Sequence, residues 1–270
     1  MQILRIISPE REWRLQVSCQ DMESSGKESI AARSAEVGAL FDDVAEHFDR
    51  MATRMIDAEG PFRTWLDAQL PGGDRALDVG CGTGRHCPLL AERYAQVLGV
   101  DLSEALIHIA RRTRPAANIR YEARSAYDVE PAADGVFDVV FAFSAVFHMR
   151  PYEQILPHLR SLVAPGGRLV VLEPQRTDLH ARKGRDADWH IPVAFQNAEA
   201  VYRATADAGA ATDALNLFLH PSWHKLGELN TLPSSQEFRD AYSGWLPGAQ
   251  FFDGVAVAMA AAVWQAPDPN

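Results

Sequence analysis

Residues 76–84, ALDVGCGTG, decide the fold of this chain. An apolar run ends at Asp78 and is followed by the alternate glycines Gly80, Gly82 and Gly84. Glycine lets the backbone turn sharply from a strand into a helix, and it lets a ligand approach the main chain without a Cβ in the way. The stretch therefore predicts a ligand-binding turn at the end of a β-strand.

The spacing of the glycines argues against a dinucleotide. The fingerprint G-x-G-x-x-G needs its third glycine at the position of Arg85. Asp78 fits poorly beside an anionic pyrophosphate but suits a ligand that carries an ammonium group and a sulfonium. A second acid, Asp101 in VLGVDLS, ends the next apolar run. A carboxylate at this place can accept hydrogen bonds from both hydroxyls of a ribose. S-adenosylmethionine carries all of these groups, so the pattern favours it.

Four segments resemble the small-molecule class I methyltransferases of the type 11, ubiquinone-biosynthesis-like family. They are DVGCGTG, GVDLS, FDVVFAFSAVFHM and LVAPGGRLVVLEP, and together they span residues 76–173. The resemblance implies an S-adenosylmethionine-dependent methyltransferase that releases S-adenosylhomocysteine.

The resemblance also implies the cofactor contacts. Asp78 and the glycines would hold the methionine end, and Asp101 would hold the ribose. The family usually has an acid after the third strand, facing adenine, and this chain has Ser125 there. Arg85 would meet the methionine carboxylate or form a surface ion pair. The expected contacts are Phe48, Asp78, Gly80, Cys81, Gly82, Gly84, Arg85, Asp101, Leu102, Ser125, Ala126 and Phe143.

Apolar runs recur along the chain and alternate with helical stretches, which predicts a parallel, doubly wound α/β sheet. The resemblance implies the complete fold: a Rossmann-like, mostly parallel seven-stranded sheet with helices on both faces, an antiparallel last strand, N-terminal helices and a small cap. The predicted strands are 75–79, 96–100, 119–122, 137–143 and 168–172, with late strands at 211–219 and 255–264.

Helices are predicted at 37–55, 61–70 and 198–208, the last closed by Gly209. The first has aromatic residues at helical spacing, Phe41 and Phe48, which either close over the cofactor or pack in the core.

Length and composition predict one large α/β domain, and the resemblance implies that it is a methyltransferase domain. With 270 residues, of which 47% are hydrophobic, the chain can bury one large core. Residues 19–36 are polar and small, so we expect a flexible leader over 1–36 and the domain over 37–270. Its cofactor core is 76–173, and the acceptor or lid segments are 174–197 and 220–252. Met1 and Met22 both stay open as the natural start.

Charge and targeting signals limit the possible binding partners and the cellular compartment. A formal charge of −10, with 36 acids against 26 bases and no basic cluster, disfavours nucleic acid. The first apolar run is interrupted by Arg5 and stops at Pro9, so it predicts neither export nor a membrane anchor. Three cysteines, Cys19, Cys81 and Cys87, cannot all pair and favour a reducing cytoplasm. We expect a monomer or homodimer.

The best candidate for a general base is His148, in SAVFHMRP directly after the fourth strand. It lies on the side of the sheet where ligands bind, and the ordinary imidazole pKa of about 6.5 suits proton removal at neutral pH. The alternative is a histidine that caps a helix or lines the pocket without transferring a proton. His180 and His190 are weaker candidates, since their loop would have to fold over the site.

No metal is predicted. His220 and His224 have a metal-compatible spacing on a helix, but Pro221 intervenes and no acid or cysteine completes a ligand set.

The absence of one motif limits the class of methyl acceptor. The stretch FSAV at residues 143–146 stands where enzymes that methylate amino groups of nucleic-acid bases have an Asn/Asp-Pro-Pro-aromatic motif. This leaves a small molecule, such as a specialised metabolite, that offers oxygen, nitrogen, carbon or sulfur. Aromatic residues in the candidate capping segments either contact an acceptor with apolar surface or pack in the core: Phe147, Trp189, Phe195, Trp223 and Trp245. The alternatives are a non-methylating reaction at the bound cofactor, such as cyclisation, and a binding module without catalysis.

Overall fold

The computed structural model describes residues 19–56, 60–176, 188–256 and 258–268. Met1–Arg33 and Ser34–Asn270 cluster as two compact units. The account below concerns the second unit, which contains the sheet and all of the predicted site residues that are described.

The strands of the described residues form one mixed, seven-stranded sheet. They are β1 (Gly73–Val79), β2 (Tyr94–Asp101), β3 (Ile119–Ala123), β4 (Phe137–Phe143), β5 (Val163–Pro174), β6 (Gln250–Asp253) and β7 (Met259–Gln265). Their order in the sheet is β3-β2-β1-β4-β5-β7-β6. Strands β1 to β5 pair in parallel, and β7 runs antiparallel to both β5 and β6. The predicted Rossmann-like sheet with an antiparallel last strand is confirmed.

The described helices connect and cover these strands. They are α1 (Cys19–Ile56), α2 (Gly60–Gln69), α3 (Cys87–Ala91), α4 (Glu104–Thr113), α5 (Pro131–Asp134), α6 (Tyr152–Ser161), α7 (His190–Thr205), α8 (Ala208–Phe218), α9 (Pro221–Leu229) and α10 (Ser235–Trp245). Single 3-10 turns follow β3, at Ala126–Asp128, and β4, at Val146–His148.

The sheet has a helical layer on each face. Successive side chains of a strand point to opposite faces, so a strand that is covered on both sides is apolar throughout. In β4, Val140 packs in the core shared with α6 and α10, whereas Phe141 packs in the core shared with α2, α3 and α4. This two-sided burial explains why β4 reads FDVVFAF, without an alternation of polar and apolar residues.

The predicted strand at 211–219 is wrong, because these residues lie in and just after helix α8. Asp207 is the N-cap, and its carboxylate accepts hydrogen bonds from Gly209 N at 2.7 Å and Ala210 N at 3.2 Å. Asparagine and aspartate are among the best N-cap residues, so Asp207 starts a helix. Gly209 therefore lies in the first turn of α8 and does not close the preceding helix, which ends at Thr205.

The segment after α8 is also more regular than the sequence predicted. Helix α9 begins at Pro221, since proline is well tolerated in the first turn of a helix. Helix α10 starts with a capping box between Ser234 and Glu237. Strand β6 begins within the predicted acceptor or lid segment 220–252, and the last strand begins at Met259 rather than at 255.

Helix α1 is longer than predicted. It begins at Cys19, where the sequence predicted a start at Val37. Its residues from Ser34 onward belong to the second unit, and they lie against the carboxyl end of the sheet at Leu102.

Candidate functional site

The site lies where the strand order reverses. Strand β1 has β2 on one side and β4 on the other, so the connections after β1 and β4 leave the sheet toward opposite faces. In open α/β sheets the crevice outside the carboxyl ends of such strands is where ligands bind. The turn after β1, the acid that ends β2 and the turn after β4 all meet there.

The alternate glycines of the turn after β1 have different surroundings. A Cβ on Gly80 would lie 2.5 Å from the Cβ of Ala145, and one on Gly84 would lie 2.6 Å from the hydroxyl of Tyr121. A Cβ on Gly82 would meet only Phe48, at 3.4 Å. Gly80 and Gly84 are thus required by packing within the protein, whereas Gly82 leaves the main chain open to a ligand.

Asp101 fixes the glycine turn from the neighbouring strand. Its Oδ2 accepts a hydrogen bond from Gly82 N at 2.9 Å, and its Oδ1 accepts one from Ser103 N at 2.9 Å. Burial raises the pKa of Asp101, and the bonds from Ser103 and Gly82 oppose that rise. The carboxylate is therefore aimed at the turn, next to the glycine that a ligand can reach.

Asp78 lies beneath this turn. Its side chain is 1% exposed, and its Oδ2 accepts a hydrogen bond from the thiol of Cys87 at 3.2 Å. Burial is the main reason why the pKa of Asp78 rises to about 7, while the Cys87 thiol lowers it. Cys81 is also buried, and burial raises the pKa of its thiol to about 11, so it stays protonated.

Hydrogen bonds connect helix α1 to the loop that follows Asp101. The Oδ1 of Asp42 accepts hydrogen bonds from Ser103 Oγ at 2.5 Å and from Ala105 N at 3.0 Å. Gly38 lets the helix come close, since a Cβ there would lie 3.2 Å from the carbonyl oxygen of Leu102. Sequence reasoning missed Asp42, because no local pattern marks a contact across 61 positions.

The turn after β4 carries His148 and packs on the glycine turn. Ala145, in this turn, lies so close to Gly80 that no side chain fits there. The imidazole of His148 is 3.9 Å from the ring of Phe147 and 5.3 Å from the ring of Phe41, measured between centroids. The structure thus brings His148 next to the same crevice as Gly82 and Asp101.

An aromatic cluster covers this part of the crevice. We define it as Phe41 and Phe48 of α1, Phe218 of α8 and Trp223 of α9. The centroid of Trp223 lies 6.2 Å from those of Phe41 and Phe48, and 5.5 Å from that of Phe218. The contacts of Trp223 with Phe41 and Phe218 are edge-to-face, an arrangement that is favourable for aromatic rings. All four side chains keep part of their surface exposed, so the cluster is not a closed core.

Arg85 and Phe143 belong to a second group. The guanidinium of Arg85 lies over the Phe143 ring at 4.8 Å from its centroid. His86 lies 4.6 Å from Phe143, and Phe62 of α2 lies 5.7 Å from it. Burial lowers the pKa of His86 well below its ordinary value, which keeps this imidazole neutral.

The residues after β2 and β3 have structural contacts. Ser125 is the N-cap of the 3-10 turn after β3, and its hydroxyl accepts a hydrogen bond from Tyr127 N at 3.2 Å. Ala126 is buried in the core on the face of α6. Leu102 contacts α1 at Gly38. None of these contacts tests the predicted adenine site.

The other candidate histidines lie in the helices of the cap. His190 and His224 have ring centroids 3.6 Å apart. His220 is the N-cap of α9, and its Nδ1 accepts a hydrogen bond from Ser222 N at 3.2 Å. Over the described ranges, no group of three or more His, Cys, Asp or Glu side chains could hold a metal ion. His180 lies outside the described residues.

The aromatic residues predicted for the acceptor side are dispersed. Phe147 lies beside His148, and Trp223 belongs to the aromatic cluster. Trp189 contacts Gly227, whereas Phe195 and Trp245 are 59% and 41% exposed on α7 and α10.

Residues 77–171 match the family model described as "Methyltransferase domain". The "Ubiquinone biosynthesis O-methyltransferase" of Xanthomonas axonopodis pv. citri (strain 306) is 31% identical over 145 residues, which cover 49% of this chain and 61% of that protein. The fold and the matched segment define a class I methyltransferase domain. This segment, rather than the whole chain, is what is similar to the small-molecule class I methyltransferases. It spans about half the length of the curated relatives that it matches.

Solved structures share the fold. The "DhpI-SAH complex structure" has a TM-score of 0.57 at 17% identity, covering 88% of this chain and 98% of that chain. The "[4+2]-Cyclase SpnF" has a TM-score of 0.52 at 17% identity, covering 87% of this chain and 97% of that chain. At this identity the likeness concerns the fold alone. Among the described residues, no helix combines the length and apolar character that crossing a membrane requires.

The packing of the glycine turn predicts unequal costs for two alanine substitutions. Gly82 and Gly84 both have a positive φ, +54° and +76°, so each substitution should cost about 1–2 kcal/mol in backbone strain. Gly84→Ala should cost more, because its Cβ collides with Tyr121. Urea denaturation of the two variants and the wild type measures the difference. Equal losses of stability would contradict the conclusion that packing against Tyr121 requires glycine at position 84.

The buried acids predict how stability depends on pH. Burial raises the pKa of Asp78 to about 7 and that of Glu173, at the end of β5, to about 8. Each folded-state pKa lies above the unfolded one, so the native state binds more protons between about pH 4 and 8. The extra protons bound by the native state stabilise it. Their contribution to the free energy of unfolding is complete below about pH 4 and is lost as the pH rises through 7 and 8.

Asp78→Asn and Glu173→Gln remove these titrations. Urea denaturation at several pH values should therefore give a flatter dependence of the unfolding free energy for each variant than for the wild type. A wild-type dependence that both variants reproduce would show that the two acids are already ionised in the folded protein.

Proposed function

We propose that this protein transfers a methyl group from S-adenosylmethionine to an oxygen, nitrogen or carbon atom of a small-molecule acceptor, a specialised metabolite, by in-line displacement. The observation that carries the proposal is the contact of Ala145 with Gly80. This contact joins the predicted donor turn to the turn of His148, so a donor and a candidate base share one crevice.

The residues of the crevice fit the cofactor. Gly82 offers open main chain beside a carboxylate, and each oxygen of Asp101 keeps a further lone pair beyond the bond that it accepts. We assign Gly82 to the methionine end, Asp101 to the ribose hydroxyls and Phe48 to the cover over the turn. Asp78 supports the turn from below through the hydrogen bond that it accepts from the Cys87 thiol.

Little covalent chemistry is asked of the protein. When bound, the cofactor supplies a methyl carbon that its sulfonium already activates, and S-adenosylhomocysteine is the product. The chain has to align the acceptor with this carbon and exclude water. His148 takes the proton that an oxygen or nitrogen acceptor loses, and its neighbours Phe41 and Phe147 limit the access of water to the imidazole.

The aromatic cluster supports an acceptor with apolar surface. Its members carry no charge. One of them, Trp223, lies on α9, which is part of the predicted acceptor segment 220–252. Small-molecule sites are commonly lined in this way, with a few polar groups that fix orientation. Here the polar group is the imidazole of His148.

Calorimetric titration with S-adenosylmethionine and S-adenosylhomocysteine tests the donor site. We expect dissociation constants in the micromolar range for the wild type. Asp101→Ala should weaken both by about tenfold or more, because the ribose loses its acceptor and the glycine turn loses its bond. Asp74→Ala, an exposed acid at the opposite end of β1, is the control and should leave both affinities unchanged. No binding to the wild type would contradict the proposal.

Turnover distinguishes methyl transfer from the alternative reaction. With S-adenosylmethionine and a panel of small phenols, amines and carboxylic acids, we expect one S-adenosylhomocysteine for each methylated product. His148→Asn should lower the rate about 10²-fold or more without changing the affinity for S-adenosylhomocysteine. A product formed without S-adenosylhomocysteine would favour the non-methylating alternative, which the solved cyclase with this fold makes worth testing.

A further inference from the structure

Glu173 is a buried acid that the proposed chemistry does not use. It lies near the end of β5 and has no exposed surface. Its Oε1 accepts a hydrogen bond from Val146 N at 3.0 Å, and its Oε2 accepts one from Phe147 N at 3.1 Å. Both donors belong to the 3-10 turn that ends at His148.

Burying a carboxyl group here is unfavourable. Burial raises the pKa of Glu173 to about 8, and the bonds from Phe147 and Val146 are the main opposing influence. The groups that face it are Arg150, which follows the turn, Tyr152 of α6 and Tyr242 of α10. The two main-chain bonds are therefore the two largest influences that offset the burial of this acid.

The turn needs such support because its backbone is unusual. Ser144, just before it, has a φ of +54°, in the left-handed region that residues other than glycine rarely adopt. Strand β5 holds this residue as well, since Ser144 N donates to the carbonyl oxygen of Leu172 at 2.7 Å. On the far side, the hydroxyl of Tyr127 donates to the carbonyl oxygen of Met149 at 2.7 Å. Glu173 is the contact that holds the middle of the turn.

We propose that Glu173 is the positioning residue for His148: by holding Val146 N and Phe147 N it fixes where the imidazole stands beside the donor turn. This inference rests on the proposed function for its catalytic meaning, since it gives the base of that reaction its place. The donor contacts at Gly82 and Asp101 do not involve Glu173. Loss of Glu173 should therefore disturb the imidazole and leave donor binding intact.

The test follows the His148 imidazole by NMR in protein with ring-¹³C-labelled histidine. The Cε1–H signal that disappears in His148→Asn identifies this residue. In Glu173→Gln, one of the two main-chain donors faces an amide NH₂, so we expect the His148 signal to move and its pH titration curve to shift. Affinity for S-adenosylhomocysteine should stay within about twofold of the wild type, as measured by calorimetry.

Glu237→Gln is the matched control. Its carboxylate also accepts a main-chain hydrogen bond, from Ser234 N at 2.7 Å, but at the start of α10. This variant should leave the His148 signal unchanged. A His148 signal that is the same in Glu173→Gln and in the wild type would overturn the proposal.

A second measurement uses the wild type alone, in case Glu173→Gln fails to fold. Ionisation of Glu173 should move the amide signals of Val146 and Phe147 with a midpoint at about pH 8. Amide signals of Val146 and Phe147 that stay constant over the whole pH range in which the protein is folded would overturn the proposal. Failure of the donor site is a separate result, because it would appear as absent S-adenosylhomocysteine binding while the NMR comparison still holds.

Discussion

The site depends on the hydrogen bond that Gly82 N donates to Asp101 at 2.9 Å. It ties the turn after β1 to the end of β2, and the second carboxylate oxygen ties Ser103 at the start of α4. Ser103 in turn donates to Asp42 and thereby holds α1 over the crevice. A hydrogen bond to a charged group contributes about 1.5–3 kcal/mol, so this chain of bonds can order three elements around one acid.

The three glycines of the turn look equivalent in the sequence, but the positions do not all require glycine for the same physical reason. Gly80 and Gly84 are needed because Ala145 and Tyr121 occupy the space of a side chain, and only Gly82 has open space beside it. A sequence shows that a side chain is missing, but it does not show whether a neighbour or a ligand takes its place. Packing is what separates a structural glycine from one that can meet a cofactor.

The central sheet was predictable because its strands are buried on both faces and therefore read as apolar runs between turns. The cap was not, because alanine-rich stretches such as 211–219 fit a strand or a helix until the N-cap at Asp207 is recognised. The glycine turn, Asp101 and His148 follow from local motifs. Asp42 and Glu173 do not, since their partners lie 61 and about 27 positions away and depend on how strands and helices are arranged.

The buried acids also shape the charge of the crevice. Burial raises the pKa of Asp78 to about 7, and two charged groups also act on it: Asp101 raises it and Arg85 lowers it. Near neutral pH a large part of Asp78 is therefore protonated. A ligand that brings a positive charge next to these acids favours their ionised forms. A cation that enters the crevice thus increases its negative charge, and the partial protonation of Asp78 lowers the cost of burying this acid beside Asp101 in the free protein.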